Sequence, residues 1–310
     1  EQIVVYSSRA EQLIRPLFEQ YMDQTGVEIS WATDQAGPLM QRLVSEGEQT
    51  PADLFLTVDA GNLWLAAEKG LLRAARSPTL EKNIPAHLRD AQGNWFALSV
   101  RARTIVYSTS RVDAAQLSSY AALADPQWRG RLCLRTSKKV YNQSLVAMMI
   151  AEHGEQKAEE IVRGWVANLA APVLSSDTKV IEAIVAGQCD IGIVNTYYFG
   201  RLQQEYPAIP AALFWPDQNA NGVHVNVSGA GIVKHTDNPE GALRLLQWLS
   251  SGEAQEKFAG LNLEYPANPA VAVDSLVAQW GEFKQNLINV SQAGALQSRA
   301  VKLMDRAGYR

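Results

Sequence analysis

The first seventy residues alternate two periodicities, and this limits the fold more than any other feature of the chain. Residues 3–7, 27–31 and 52–58 are apolar runs of strand length. Between the first two, Leu13, Ile14, Leu17, Phe18 and Tyr21 recur at helical spacing across 11–24, and Gly26 stops the run. Leu39, Leu43 and Val44 share one side of a second helix over 38–47, and a third is expected over 62–70. Strands that alternate with helices can lie side by side only if each helix crosses a face of the sheet. The order β-α-β-α-β-α therefore predicts a parallel sheet covered by helices, with right-handed crossovers.

The middle of the chain repeats the plan. Strand-like segments fall at 98–107, 131–134 and 190–194, and helical ones at 141–153, 154–169 and 196–205. Asp177 reads as the N-cap of a helix over 180–186. Two further strand-like stretches lie within 214–234, helices come next over 241–250 and 253–260, and the chain from Pro269 reads as mostly helical. No repeat, low-complexity tract or Pro/Gly-rich linker separates the parts. Two α/β lobes are expected, 1–100 with about 227–270, and about 101–226 with 271–310. The segments 98–107 and 223–234 would cross between them, with a ligand cleft between the lobes.

Charge narrows the function. Lys+Arg 28 against Asp+Glu 32 gives a net charge of -4, so the basic footprint of a nucleic-acid binder is missing, as is a polybasic membrane patch. No apolar run reaches the roughly 18–20 residues of a membrane helix. The chain begins at Glu1 directly in a strand-like segment, which is the start expected once a targeting peptide has been removed. Cys133 and Cys189 both lie in strand-like contexts. They read equally as a disulfide of an oxidising compartment and as two buried thiols. His87, His153, His224 and His235 have no ligand spacing, and only His224, with Asn226 on a hinge-like strand, draws notice. No Cys-x-x-Cys, P-loop or G-x-S-x-G is present.

Several segments, in order and spacing, carry a resemblance. They are Val5-Tyr-Ser-Ser-Arg9, Ala52-Asp-Leu-Phe-Leu-Thr-Val-Asp-Ala-Gly-Asn-Leu63, Ser99-Val-Arg-Ala-Arg103 and Leu123-Ala-Asp-Pro-Gln-Trp-Arg-Gly-Arg-Leu-Cys-Leu-Arg135. Further along are Val140-Tyr-Asn-Gln-Ser-Leu145, Val194-Asn-Thr-Tyr-Tyr-Phe199 and Ser228-Gly-Ala-Gly-Ile-Val-Lys-His235. Over nearly its whole length the chain resembles the periplasmic ferric-ion-binding proteins of bacterial ABC iron transporters, and the Tyr197–Tyr198 pair is the most specific element. The resemblance implies the type II periplasmic binding protein fold, two lobes joined by two crossing strands. It implies capture of Fe3+ with a synergistic anion, carbonate/bicarbonate or another small one, by hinge closure. It also implies delivery to an inner-membrane ABC permease, from a monomer in the periplasm that is not an enzyme.

The chemistry fits the residues. Fe3+ is a small, hard cation and, by extension of the softness rule, prefers anionic oxygen to sulfur. A phenol with a pKa of about 10 is neutral at pH 7, but a bound cation can hold it deprotonated. Adjacent tyrosines on a strand would point to opposite faces. In the first turn of a helix they lie about 100° apart and can reach one point. Tyr141, at the start of another expected helix, is the third phenolate that the family supplies. Three phenolates balance the ion, so an added anion calls for a cation, and Arg101 in Val100-Arg-Ala-Arg103 is the candidate, with Ser137 as a further anion contact.

The chain departs from the family where many members carry a His or Tyr ligand after the first strand. Here the residues are Arg9-Ala-Glu-Gln12, and where some members use a Glu the chain has Asp59. A three-tyrosine site completed by anion or water is the expectation. Glu11 and Asp59 are candidate extra ligands, and Arg9 and Arg201 are cations that would tune phenolate charge from behind. Two other functions compete: a binding protein for an oxyanion or other small organic solute, and an enzyme, for which no positioned nucleophile and base are visible.

Overall fold

The computed structural model describes residues 2–310. The chain packs as two compact units. One comprises Glu1–Val100, Val227–Asp274 and Asn289–Gly294, the other Arg101–Asn226, Ser275–Ile288 and Ala295–Arg310. Two strands, Phe96–Ser108 and Val225–Val233, contribute to both.

The first unit opens with β1 (Gln2–Ser7), α1 (Glu11–Thr25), β2 (Glu28–Thr33), α2 (Ala36–Glu46), β3 (Leu54–Val58) and α3 (Ala60–Glu68). β1 pairs in parallel with β2 on one side and β3 on the other. α1 buries Ile14, Leu17, Phe18 and Tyr21, the stripe that its spacing predicts. It ends where Gly26 takes a φ of 72° and donates its N–H to Met22 O, a left-handed cap that only glycine adopts without cost. β4 (Leu72–Arg73) and α4 (Pro78–Asn83) lead to β5 (Phe96–Ser108).

The second unit continues with β6 (Leu132–Cys133), α5 (Val140–His153), α6 (Glu155–Asn168), α7 (Asp177–Val185), β7 (Ile191–Asn195), α8 (Thr196–Glu205) and β8 (Ala211–Phe214). The second half of β5 runs antiparallel to β7, from Arg103↔Asn195 to Tyr107↔Ile191, and to β8, while β6 is parallel to β7. β7 is covered on both faces. Ile191 and Ile193 join an apolar cluster with Trp128, Leu145, Trp165 and Leu303, and Val194 joins another with Val180, Ile184 and Phe199. α7 crosses so closely that a Cβ on Gly192 would stand 2.5 Å from Val180 Cγ1. α5 is buried on almost every side from Tyr141 to Ile150, so its first turn is fixed by the core. Cys133 and Cys189 are joined in a disulfide, which fastens the start of β7 to β6 and decides between the two readings of the cysteines.

β9 (Val225–Val233), α9 (Pro239–Leu249), α10 (Gly252–Gly260) and β10 (Tyr265–Pro266) return to the first unit. There β9 pairs antiparallel with β3 and β4, and β10 pairs with the start of β5.

Three expectations are corrected. Ser176, not Asp177, caps α7: its hydroxyl accepts from Lys179 N, and Asp177, the first helical residue, turns into the core. The chain after Pro269 is largely irregular, with α11 (Ser275–Ala278), α12 (Gln292–Ala295) and α13 (Gln297–Arg306) only. Gly281, at a φ of 81°, and the stacked rings of Trp215 and Phe283 hold the stretch between the first two in loop form. Finally, 271–274 and 289–294 pack with the first unit rather than the second. Val290 N donates to His87 O, Asn289 Nδ2 donates to Ala86 O and Arg89 O, and Gly294 packs against Trp64.

Candidate metal centre

Tyr141, Tyr197 and Tyr198 meet within the second unit. Tyr141 is the second residue of α5, and Tyr197 and Tyr198 are the second and third of α8. All three therefore stand in the first turn of a helix, where the positive end of the macrodipole favours an anionic side chain. Each helix succeeds a strand of the parallel pair β6–β7 at its carboxyl end, which is where ligands gather in open α/β sheets. The hydroxyl of Tyr197 donates to that of Tyr141 at 3.2 Å, and the rings of Tyr197 and Tyr198 lie 4.5 Å apart at 32°. Tyr141 and Tyr197 are buried and Tyr198 is partly open.

Cations surround the cluster. Arg101 lies 5.4 Å from the Tyr141 ring centroid, Arg135 5.5 Å and the Lys139 ammonium 4.6 Å. Arg201 stands over both other rings, at 5.1 Å from Tyr197 and 5.5 Å from Tyr198. At these separations a cation is attracted to the ring face and also favours the ionised phenol. The two phenols of α8 respond differently. Burial and the neighbouring Tyr141 push the Tyr197 pKa well above the ordinary tyrosine value. Burial also opposes ionisation of Tyr198, but hydrogen bonding with Tyr197 and Arg135 outweighs it and holds that phenol below its ordinary value.

Among the described residues no three His, Cys, Asp or Glu side chains are grouped to hold a metal. The grouped hard donors are phenolic oxygens. Three phenolates would cancel a 3+ ion, and the surrounding guanidinium and ammonium groups leave positive charge for an oxyanion. The N-cap residues of the two helices, Lys139 and Asn195, make no side-chain cap hydrogen bond.

The other sequence-based candidates divide. Arg101 and Arg201 are brought to the tyrosines. Ser137 lines a separate groove with Lys302 and Arg310, and its amide donates to Arg310 O. Arg9, Glu11 and Asp59 belong to the first unit, where each is engaged. Arg9 is buried against Glu264 at 2.8 Å and donates to Ser228 and the Phe258 carbonyl. Glu11 pairs with Arg15 on the surface of α1. Asp59 caps α3, its carboxylate accepting from Gly61 N at 2.8 Å. Sequence reasoning missed Arg135 and Lys139. A charged residue directly beyond a strand of a parallel pair was the available signal, and Arg135 stands two positions after Leu132–Cys133.

His224 is buried, and neither ring nitrogen has a hydrogen-bond partner among the described residues. Burial, with Arg103 and Arg101 nearby, pushes its pKa down to about 3, so the ring is neutral at pH 7.

Comparison with known proteins identifies the family and the fold. Residues 49–284 match the family model described as bacterial extracellular solute-binding protein. Iron uptake protein A1 of Synechocystis sp. is 39% identical over 100% of this chain and 88% of the relative. A solved Trichodesmium protein, IdiA or FutA in complex with iron and citrate, superimposes with a TM-score of 0.97 at 41% identity, covering 100% of both chains. Ferric iron-binding protein A of Mannheimia haemolytica, in an open conformation, gives 0.93 at 34% identity over 100% of this chain and 99% of that one. The α/β architecture is thus the type II periplasmic binding protein fold that the sequence predicts, and the chain belongs to the family of bacterial extracellular solute-binding proteins.

Proposed function

We propose that the protein captures ferric iron through the phenolates of Tyr141, Tyr197 and Tyr198. The carrying observation is the cluster of three phenols at two helix N-termini, Tyr197 hydrogen-bonded to Tyr141 and packed on Tyr198, beside Arg101, Arg135, Lys139 and Arg201. A small oxyanion, carbonate or a carboxylate, completes the coordination and is held by the guanidinium groups, Arg101 above all. Relatives named for iron uptake, and one solved with iron and citrate, support this reading. The corresponding role is that of a binding protein and not an enzyme. It acts as a monomer in the periplasm and hands its cargo to an inner-membrane ABC permease. Among the described residues no helix is long and apolar enough to cross a membrane.

Binding replaces phenolic protons by the ion, so proton release accompanies loading and affinity falls as pH falls. The test is Fe3+ titration in bicarbonate buffer, monitored by visible absorption. A saturable one-to-one phenolate-to-iron charge-transfer band is expected for the wild type. In Tyr198→Phe the band shifts and affinity drops by at least about 10–100-fold, the scale of losing even an outer-shell partner. A wild type that gives no band and yields its iron to a weak chelator points instead to an oxyanion or small organic solute as cargo.

A further inference from the structure

Behind the three tyrosines the second unit buries a polar network that converges on one carboxylate. Asp177 is wholly inaccessible. Its Oδ2 accepts from Arg103 NH1 at 2.9 Å and from Asn195 N at 2.8 Å, and its Oδ1 accepts from Arg103 NH2 and Arg135 NH1, each at 3.4 Å. From there, three branches run outward. Arg103 donates through Nε and NH2 to Asn142 Oδ1 at 3.0 and 2.7 Å, and Asn142 is the neighbour of Tyr141 in the first turn of α5. Arg103 NH1 also donates to Asn195 Oδ1 at 2.9 Å, and Asn195 Nδ2 donates to Tyr197 OH at 3.4 Å. The third branch is Arg135, whose guanidinium lies 5.9 Å from the Tyr198 ring centroid. The Arg135 carbonyl accepts from Asn142 Nδ2 at 3.0 Å and Tyr309 OH at 2.6 Å, which locks the turn between β6 and α5.

We infer that Asp177 and Arg103 form the positioning centre of the metal site, setting the mutual geometry of all three phenols from a point that touches none of them. This rests on the tyrosine reading of the site. Two effects of Asp177 oppose each other, which makes the inference sharp. As a charge, its carboxylate disfavours phenolates nearby, so removing it would tighten iron binding. As an anchor, it holds Arg103, Arg135 and the Asn195 amide, so removing it would let three ligands drift and weaken binding. The convergence of its hydrogen bonds makes anchoring the larger effect. Burial without contact to solvent also gives it no role as a ligand of its own.

The experiment uses Asp177→Asn and Arg103→Lys, each expressed with [13Cζ]-tyrosine. Arg103→Lys keeps the charge and removes the planar fork, so a purely electrostatic role leaves it unaffected, and it remains informative if Asp177→Asn folds poorly. In the metal-free proteins the signals of Tyr141, Tyr197 and Tyr198 are expected to move together, while that of Tyr6 in the first unit stays. Fe3+ affinity, by citrate competition, is expected to fall about 10–100-fold in each folded variant, with a shifted charge-transfer band. Unmoved tyrosine signals, or iron bound as tightly as or more tightly than by the wild type, overturn the inference. The metal-free spectra decide it even if the wild type takes up no iron, an outcome that sinks the functional reading alone.

Discussion

Both units bury a carboxylate against arginine, Glu264 against Arg9 and Asp177 against Arg103 and Arg135, and the two groups do different things. In the first unit Arg9 meets Glu264 at 2.8 Å; in the second, Arg103 meets Asp177 at 2.9 Å. The first pair is closed. Arg9 also donates to Ser228 and the Phe258 carbonyl and lies 4.3 Å from the Phe258 ring centroid, and Glu264 accepts from Ser99 and Asn262. These partners are themselves buried. The second pair is open-ended: its branches finish at Tyr141's neighbour, at the Tyr197 hydroxyl and beside Tyr198. Buried ion pairs have large desolvation costs and are weak evidence of stability in themselves. The difference between these two lies in where their hydrogen bonds terminate, and that decides whether a pair serves the core or the site.

Breaking the pairs one at a time tests that contrast most strongly. Arg9→Met leaves Glu264 charged without its cation, and is expected to lower unfolding free energy by about 3–5 kcal/mol. The charge-transfer band of the folded fraction should keep its wavelength and affinity. Denaturant unfolding and iron titration of the same sample check both halves; a shifted band in Arg9→Met would erase the distinction.

A second effect, spread over a range of pH, comes from His224, which the second unit buries with neither ring nitrogen hydrogen-bonded among the described residues. In the unfolded chain it gains a proton near pH 6.5, but in the fold it stays neutral to about 3. The folded pKa is depressed, so protons favour the unfolded state, and stability present above pH 6.5 is lost as pH falls towards 3. The slope approaches about 1.4 kcal/mol per pH unit below 6. His224→Phe should flatten the unfolding profile between pH 6 and 4, and an unchanged slope would show that carboxylates alone govern acid sensitivity.

The smallest expected effect belongs to Asp59, which the family resemblance offers as a candidate extra ligand. Its carboxylate caps α3, so Asp59→Ala should cost about 1 kcal/mol of stability, with an added penalty from its φ of 77°. Asp59→Asn retains both the cap and the backbone preference and should cost less. Neither is expected to change the iron-bound colour.

The alternation of the first seventy residues was readable in sequence because apolar spacing leaves a local trace, and the Tyr197–Tyr198 pair stood out by its place after a strand, whereas Tyr141 was singled out only through the family resemblance. The supporting network left none of that kind. Asp177 resembles any helix cap until Ser176 is seen to fill the role. Asn142 and Asn195 lie 39 and 92 positions from Arg103 along the chain and meet it only once β5, α5 and β7 are folded together. Arg9 and Asp59 are the opposite case. Their positions suggested chemistry, and burial assigned them to packing and capping.

The placement of Tyr197 and Tyr198 in one helical turn has a consequence for how such a chain can vary. Each added residue rotates the downstream side chains by about 100° around the helix axis. An insertion between Asn195 and Tyr197 would therefore swing both rings away from Tyr141, although every side chain of the cluster remained in the sequence. The junction between β7 and α8 is constrained in length as strictly as in composition. Substitution can tune this site, but insertion or deletion there dismantles it in one step.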